Sequence, residues 1–279
     1  MITSRSFYIL FILLVTTVLM LAASFGQDTK PAPQTLILTK RNTIQLSGPV
    51  DRDSVAKLQA KFMEMDKTLG DGEQIMFVLY TPGGDVEAGE LLIDTIKGLK
   101  HKTNTLSLFS ASMGFQFVQN LGTRYVIPSA TLMSHRMKVG GIAGEAPGSL
   151  VVAINFVLRM ATNLDTIAAS RMGLTLAKYR ELVRDEYWVN GNDAVKDHAA
   201  DQVVYARCAN DMQGEHSEQF ETLFGPVKVR FSNCPLITQP LGVAVADPSK
   251  GNKQQQERAI EYITELFDNT PSFIQKYIR

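Results

Sequence analysis

The sequence predicts an α/β domain built on a largely parallel sheet, and three observations carry that expectation. Continuous apolar runs of strand length, such as "QIMFVLY", suit strands buried on both faces. Segments with apolar residues at helical spacing follow these runs repeatedly. Small-residue turns, "TPGGD" and "SASMG", join the two kinds of segment. Strands that alternate with helices need crossover connections, and crossovers make neighbouring strands parallel.

The elements follow in order. Residues 1–26 open with Arg5 and a charge-free apolar run from Phe7 to Phe25. Ser24 and Gly26 would sit at the −3 and −1 sites of cleavage before Gln27, the layout of a secretory signal. The run also approaches the roughly 20 residues that span a bilayer, so an uncleaved membrane anchor stays open beside cleavage. Either way Arg5 stays cytoplasmic and the body is exported to an extracytoplasmic space such as a periplasm. A proline-containing linker, residues 27–34, precedes the expected domain, residues 35–206.

"TLILTK" and "NTIQLSG" read as strands. Val55, Leu58, Phe62, Met65 and Leu69 then recur at helical spacing, with Asp51 and Asp53 as cap candidates. "QIMFVLY" is the next strand, and Val86, Gly89, Ile93, Ile96 and Leu99 mark the helix after "TPGGD". "TNTLSLF" is a strand, "SASMG" a turn and "FVQNLG" the helix out of it; "RYVIP" and "TLMSH" read as two more short strands. A glycine-rich segment, "VGGIAGEAPGS", leads to a long helix near Ser149–Arg171, a second helix in "TLAKYRELVRD", and a turn, short helix and last strand in "EYWVNGNDAVKDHAADQVV". Residues 207–279 are more polar and read as a C-terminal extension ending in an amphipathic helix, "ERAIEYITELF".

Composition narrows the function. Lys plus Arg and Asp plus Glu balance at 28 each, with no long basic run, so electrostatic capture of nucleic acid has no support. The two cysteines, Cys208 and Cys234, either form one disulfide in an exported protein or stay separate buried thiols. With so few histidines nearby they make a poor metal site, and no cofactor is expected.

Open α/β sheets bind ligands at the carboxyl ends of their strands. The Gly83–Gly84 turn, Ser112 and His135 all fall there. A serine at a strand-to-helix turn exposes its hydroxyl, and the helix behind it offers free N–H groups to a developing oxyanion. Met113 is one natural donor; Gly83 is a second, because glycine lets the backbone approach a carbonyl closely. His135 suits the general base, oriented by an acid. Each piece has a plainer reading: serine is a common helix cap, "PGG" a common turn, and a lone histidine usually structural.

Their joint order resembles a family. From Thr81 to Val204, "TPGGDVEAGELLIDTIK", "SASMG", "RYVIPSATLMSHRMKVGG" and "WVNGNDAVKDHAADQV" are similar, in order and spacing, to the proteolytic subunit of the Clp protease and its relatives. The resemblance implies a ClpP/crotonase-like spiral of ββα units and a serine endopeptidase. Ser112 would be the nucleophile, His135 the base, and Gly83 and Met113 the oxyanion donors. Glu186 would be the acid, with Asp185 its close rival. The family's Gly-Leu-Val-Asp is His-Ala-Ala-Asp here. Implied partners are peptides or unfolded proteins and further copies of the chain in a ring stacked through the long helix. Two other readings remain: a Ser–Lys membrane protease using Lys138, and a silent scaffold that binds partners through the extension.

Overall fold

The computed structural model describes residues 34–268 except Ile142, Pro248, Lys250 and Gly251. The expected signal or anchor and nearly all of the expected linker lie outside the described residues.

The main sheet runs β2 (Thr43–Ser47), β3 (Ile75–Thr81), β4 (Thr103–Ala111), β5 (Arg124–Ser134) and β6 (Tyr187–Asn190), with β7 (Gln202–Val203) also pairing β5. All neighbours are parallel except β5 and β6. The crossovers are α1 (Arg52–Thr68), α2 (Val86–Lys97) and α3 (Met113–Asn120). Asp51 caps α1 through a reciprocal capping box with Ser54. Asp85 caps α2 by accepting from the Ala88 N–H at 2.9 Å.

The core lies between this sheet and its helices. Phe62 of α1, Phe77 of β3 and Phe117 of α3 pack edge to face, with centroids 5.1 and 5.7 Å apart. The opposite face carries a smaller apolar layer of Val78, Leu106, Val204 and Leu38, the last from β1 (Thr35–Leu38). β1 pairs in parallel with β8 (Tyr205–Cys208).

Two expected strands are one. "RYVIP" and "TLMSH" form the single β5, whose pairing with β4 is interrupted between Ser107 and Phe109. Pro128 has no N–H to donate and sits at this interruption, which is where a strand tolerates proline. β5 also changes partner along its other edge, from β7 at Tyr125–Val126 to β6 at Thr131–Ser134.

The long helix α4 (Gly148–Arg171) packs on the core only through its C-terminal turns, at Leu164, Ala168 and Ala169. Its N-terminal turns expose Val152 (66%), Phe156 (59%) and Leu158 (58%). By length and composition alone α4 is also apolar enough to cross a membrane. Helices α5 (Leu176–Leu182) and α6 (Gly191–Lys196) flank β6.

The polar tail is more ordered than its composition indicates. β9 (Glu215–Phe220), β10 (Val227–Ser232) and β11 (Gly242–Val245) form an antiparallel sheet, on which α7 (Lys253–Asp268) buries Ala259 and Ile263 against Val227 and Val229. Cys208 and Cys234 are joined, tying the end of β8 to the segment after β10. Closing this loop, 26 residues in sequence separation, removes unfolded-state entropy worth about 3.5 kcal/mol on the chain-entropy argument. The Cys208→Ala/Cys234→Ala protein is expected to unfold at lower urea, by about 3 kcal/mol; equal midpoints and slopes would contradict this.

Candidate active site

Parallel pairing brings the carboxyl ends of β3, β4 and β5 together, about 4.8 Å from strand to strand. The Gly83–Gly84 turn follows β3, Ser112 follows β4 and His135 follows β5. The Ser112 N–H donates to the Met133 carbonyl at 2.9 Å, which fixes the start of the turn to the neighbouring strand.

Ser112 has φ 55° and ψ −113°, a conformation that non-glycine residues rarely adopt. Such strain costs of order 1–3 kcal/mol and persists where the surroundings dictate it. Gly83 is one reason it persists. A Cβ there would lie 2.6 Å from the Ala111 carbonyl oxygen and 2.7 Å from both the Met113 nitrogen and Ser112 Cβ. Gly83 also has φ +89°, so glycine is required on two counts.

The capping explanation for Ser112 fails: its side chain makes no cap hydrogen bond to α3. Its Oγ instead lies 2.8 Å from His135 Nε2. The other ring nitrogen, Nδ1, lies 2.6 Å from the Arg136 carbonyl oxygen. A carbonyl only accepts, so Nδ1 carries the proton and Nε2 is left as acceptor for the serine hydroxyl. That is the tautomer a general base needs.

Burial pushes the His135 pKa below the ordinary imidazole range. The bond to the Arg136 carbonyl and the charge of Glu186 oppose this shift, while the charge of Lys138 adds to it. His135 is therefore neutral and basic at neutral pH.

Glu186 is brought close but is not bonded to the ring. The register pairs Ser134 with Tyr187, so the next position sets Glu186 beside His135. Its carboxylate accepts from Trp188 Nε1 at 3.1 Å and faces Lys138 Nζ at 3.9 Å. The side chain is 20% exposed, against 79% for Asp185, which turns outward to Arg184. Among the described residues, then, a main-chain carbonyl holds the imidazole and the carboxylate acts on it through space.

The two candidate oxyanion donors also differ in readiness. The Met113 N–H, first of α3, makes no hydrogen bond among the described residues. The Gly83 N–H donates to Thr81 Oγ1 at 3.1 Å, so a substrate carbonyl would have to displace that hydroxyl. The sequence carried no signal for the Arg136 carbonyl, which any residue supplies. Thr81 was visible only as the residue before Pro82. Ser112 and His135 open onto a cleft of about 1860 Å³ that also meets Pro82, Met133 and Lys138. Among the described residues no cluster of three His, Cys, Asp or Glu could hold a metal ion.

Residues 29–207 match the family model described as Clp protease. The chain belongs to the Clp protease family. Among its relatives is the ATP-dependent Clp protease proteolytic subunit of Streptococcus pyogenes serotype M5 (strain Manfredo). It is 25% identical over 170 residues, which cover 60% of this chain and 86% of the relative. The protein of the same name from Streptococcus suis (strain 98HAH33) is 26% identical over the same shares. Family membership and the largely parallel sheet agree on a Clp-protease-like fold, and membership implies a peptidase, hence a hydrolase. The Clp protease match stops where the disulfide begins, so β9–β11 and α7 lie beyond it.

Two predictions follow from this geometry. Gly83→Ala must move the Ser112 turn, so kcat is expected to fall about 100-fold, on the scale of a lost oxyanion donor, with the far-ultraviolet dichroism unchanged. Wild-type kcat would contradict the packing argument. If His135 is the general base, the acid limb of kcat/KM should lie below the ordinary histidine value, because a base must be neutral to accept the proton. Lys138→Met removes a charge that depresses the pKa, so the limb should move to higher pH. A shift to lower pH would reverse the assignment.

Proposed function

We propose that the protein is a serine endopeptidase working outside the cytosol through an acyl-enzyme intermediate. The observation that carries this reading is the 2.8 Å approach of Ser112 Oγ to an imidazole already held in the basic tautomer. The serine oxygen bonds to the substrate carbonyl carbon while its proton passes to His135 Nε2. The oxyanion is met by the Met113 N–H and by Gly83 once Thr81 yields. The carbon–nitrogen bond then breaks, and His135 gives its proton to the departing amine. Water attacks the ester, its proton returns through His135, and the acid leaves with Ser112 restored. Glu186 favours the imidazolium that forms at each stage, through its charge.

Lys138 is a weaker base candidate, since its side chain is 75% exposed and its neighbour is Glu186 rather than Ser112. Export is supported by the N-terminal sequence and by the Cys208–Cys234 disulfide, since such bonds persist in oxidising compartments. The relatives' name calls them ATP-dependent. Export would separate this chain from ATP, so short peptides and already unfolded proteins are the substrates we infer. The apolar face of α4 supports assembly with further copies into a ring, with an N-terminal tether where the apolar segment is retained.

Labelling with a fluorophosphonate probe tests the reading directly. Wild type should label and Ser112→Ala should not. His135→Gln should cost 10²–10⁴-fold in kcat/KM, the range for a general base, while Glu186→Gln should cost only about tenfold. Labelling that survives His135→Gln and vanishes in Lys138→Ala would transfer the base to lysine. Unlabelled wild type in its assembled state would leave a scaffold.

A further inference from the structure

The cleft that reaches Ser112 extends well beyond the Ser112–His135 pair, to α1, β2 and the C-terminal sheet. Its volume, about 1860 Å³, exceeds the roughly 300–1,000 Å³ typical of small-molecule sites, which leaves room for a stretch of polypeptide. One side is formed by α1, at Lys57, Lys61 and Glu64, and the other by the C-terminal sheet, at His216 and Glu218. Between them runs β2, every residue of which, Thr43 to Ser47, lines the cleft.

β2 is an edge strand. Its partner β3 uses the groups of alternate residues: the Met76 N–H donates to the Asn42 carbonyl and the Gly48 N–H donates to the Tyr80 carbonyl. In that phase Ile44 and Leu46 bond to β3, while the N–H and C=O of Thr43, Gln45 and Ser47 point away from it. No backbone hydrogen bond satisfies those outward groups among the described residues. Folded proteins usually blunt such an edge with charge, proline or a bulge, and "TIQLS" has no charge and no proline.

We propose that this edge is a docking ladder for substrate: an extended polypeptide segment adds as a strand to β2, between α1 and the C-terminal sheet, and is led to Ser112. The inference rests on the peptidase reading and deepens it. It assigns β9 and β10, which lie beyond the Clp protease match, to substrate handling. The occupant is unfolded chain because only an extended backbone matches a row of outward N–H and C=O groups, and because the cleft is continuous with the Ser112–His135 pair. Mixed charge in the lining, with Lys57, Lys61, Glu64 and Glu218 all present, favours recognition through the main chain over any one side-chain type.

The test uses the full-length Ser112→Ala protein, so that binding is read without cleavage, and fluorescein-labelled reduced and carboxymethylated casein as probe. Gln45→Pro removes one outward N–H and leaves the β2–β3 ladder intact; Gln45→Ala keeps it. By fluorescence anisotropy, Kd for the proline variant should be at least tenfold weaker than for the alanine variant, and equal values would overturn the proposal. Should the proline variant fail to fold, amide hydrogen exchange on the Ser112→Ala protein decides alone. The amides of Thr43, Gln45 and Ser47 should exchange freely without casein and be protected with it. Protection that rises with protein concentration in the absence of casein would overturn the proposal by giving the edge to a second copy. Fluorophosphonate labelling of wild type separates the two readings. Labelled protein without amide protection removes the ladder alone, and protection without labelling upholds the ladder and removes the peptidase.

Discussion

Everything at the site depends on the main chain of Ser112 being held where a serine does not rest by itself. Its φ of 55° persists because three contacts leave no alternative. The Met133 carbonyl takes the Ser112 N–H, Gly83 presses on the turn from β3, and Met113 fills the space where Gly89 has no side chain. Each contact comes from a different strand or helix of the parallel sheet, so the turn is a product of the whole layer. The strain of about 1–3 kcal/mol is small beside the burial of Phe62, Phe77 and Phe117 in the same layer, each worth about 1.5–3 kcal/mol. The hydroxyl is thereby turned away from the helix it would otherwise cap and towards His135.

The state of the His135 ring is set by a balance of weak influences, none of which is a carboxylate hydrogen bond. A carbonyl fixes the tautomer, burial lowers the pKa, Lys138 lowers it further, and Glu186 restores part of it. Glu186 is itself shared between Trp188 Nε1 and Lys138. Such an arrangement keeps the ring neutral and oriented at rest. It also leaves a negative charge nearby that would favour an imidazolium over the neutral ring, since a through-space attraction in a half-buried site exceeds its value in water.

Much of this was legible in the sequence, for reasons of local chemistry. "QIMFVLY" read as a strand buried on both faces, and Asp51 was one of two cap candidates ahead of the helical spacing from Val55 to Leu69. Ser112, His135 and the Gly83 turn were legible because strand ends concentrate function and because their order matched a family. The partners that hold them were not. The Arg136 carbonyl is blind to residue type, and Thr81 read only as the first residue of the "TPGGD" turn, with nothing to single out its hydroxyl. The family spacing ranked Glu186 over Asp185, but the physical ground for that order, the antiparallel register of β5 and β6 that sets Glu186 beside His135 while Asp185 turns to Arg184, was not in the sequence.

The C-terminal sheet was the least legible element, and the reason bears on what it does. β9 reads "EHSEQF", without the apolar alternation that marks a half-buried strand, because five of its six residues are exposed. β10 carries the alternation, with Val227 and Val229 buried under α7. A hairpin with one apolar strand and one polar strand buries little and would be marginal alone. Here it is retained by α7 and by the Cys208–Cys234 bond, which fastens the segment after β10 to β8. The Gln45 side-chain amide adds a contact to the Pro235 carbonyl at 3.4 Å, from the same strand whose edge lies open. The polarity that hid β9 is therefore what suits it to be a cleft wall: His216 and Glu218 line the cleft, and its position is fixed by bonds made elsewhere.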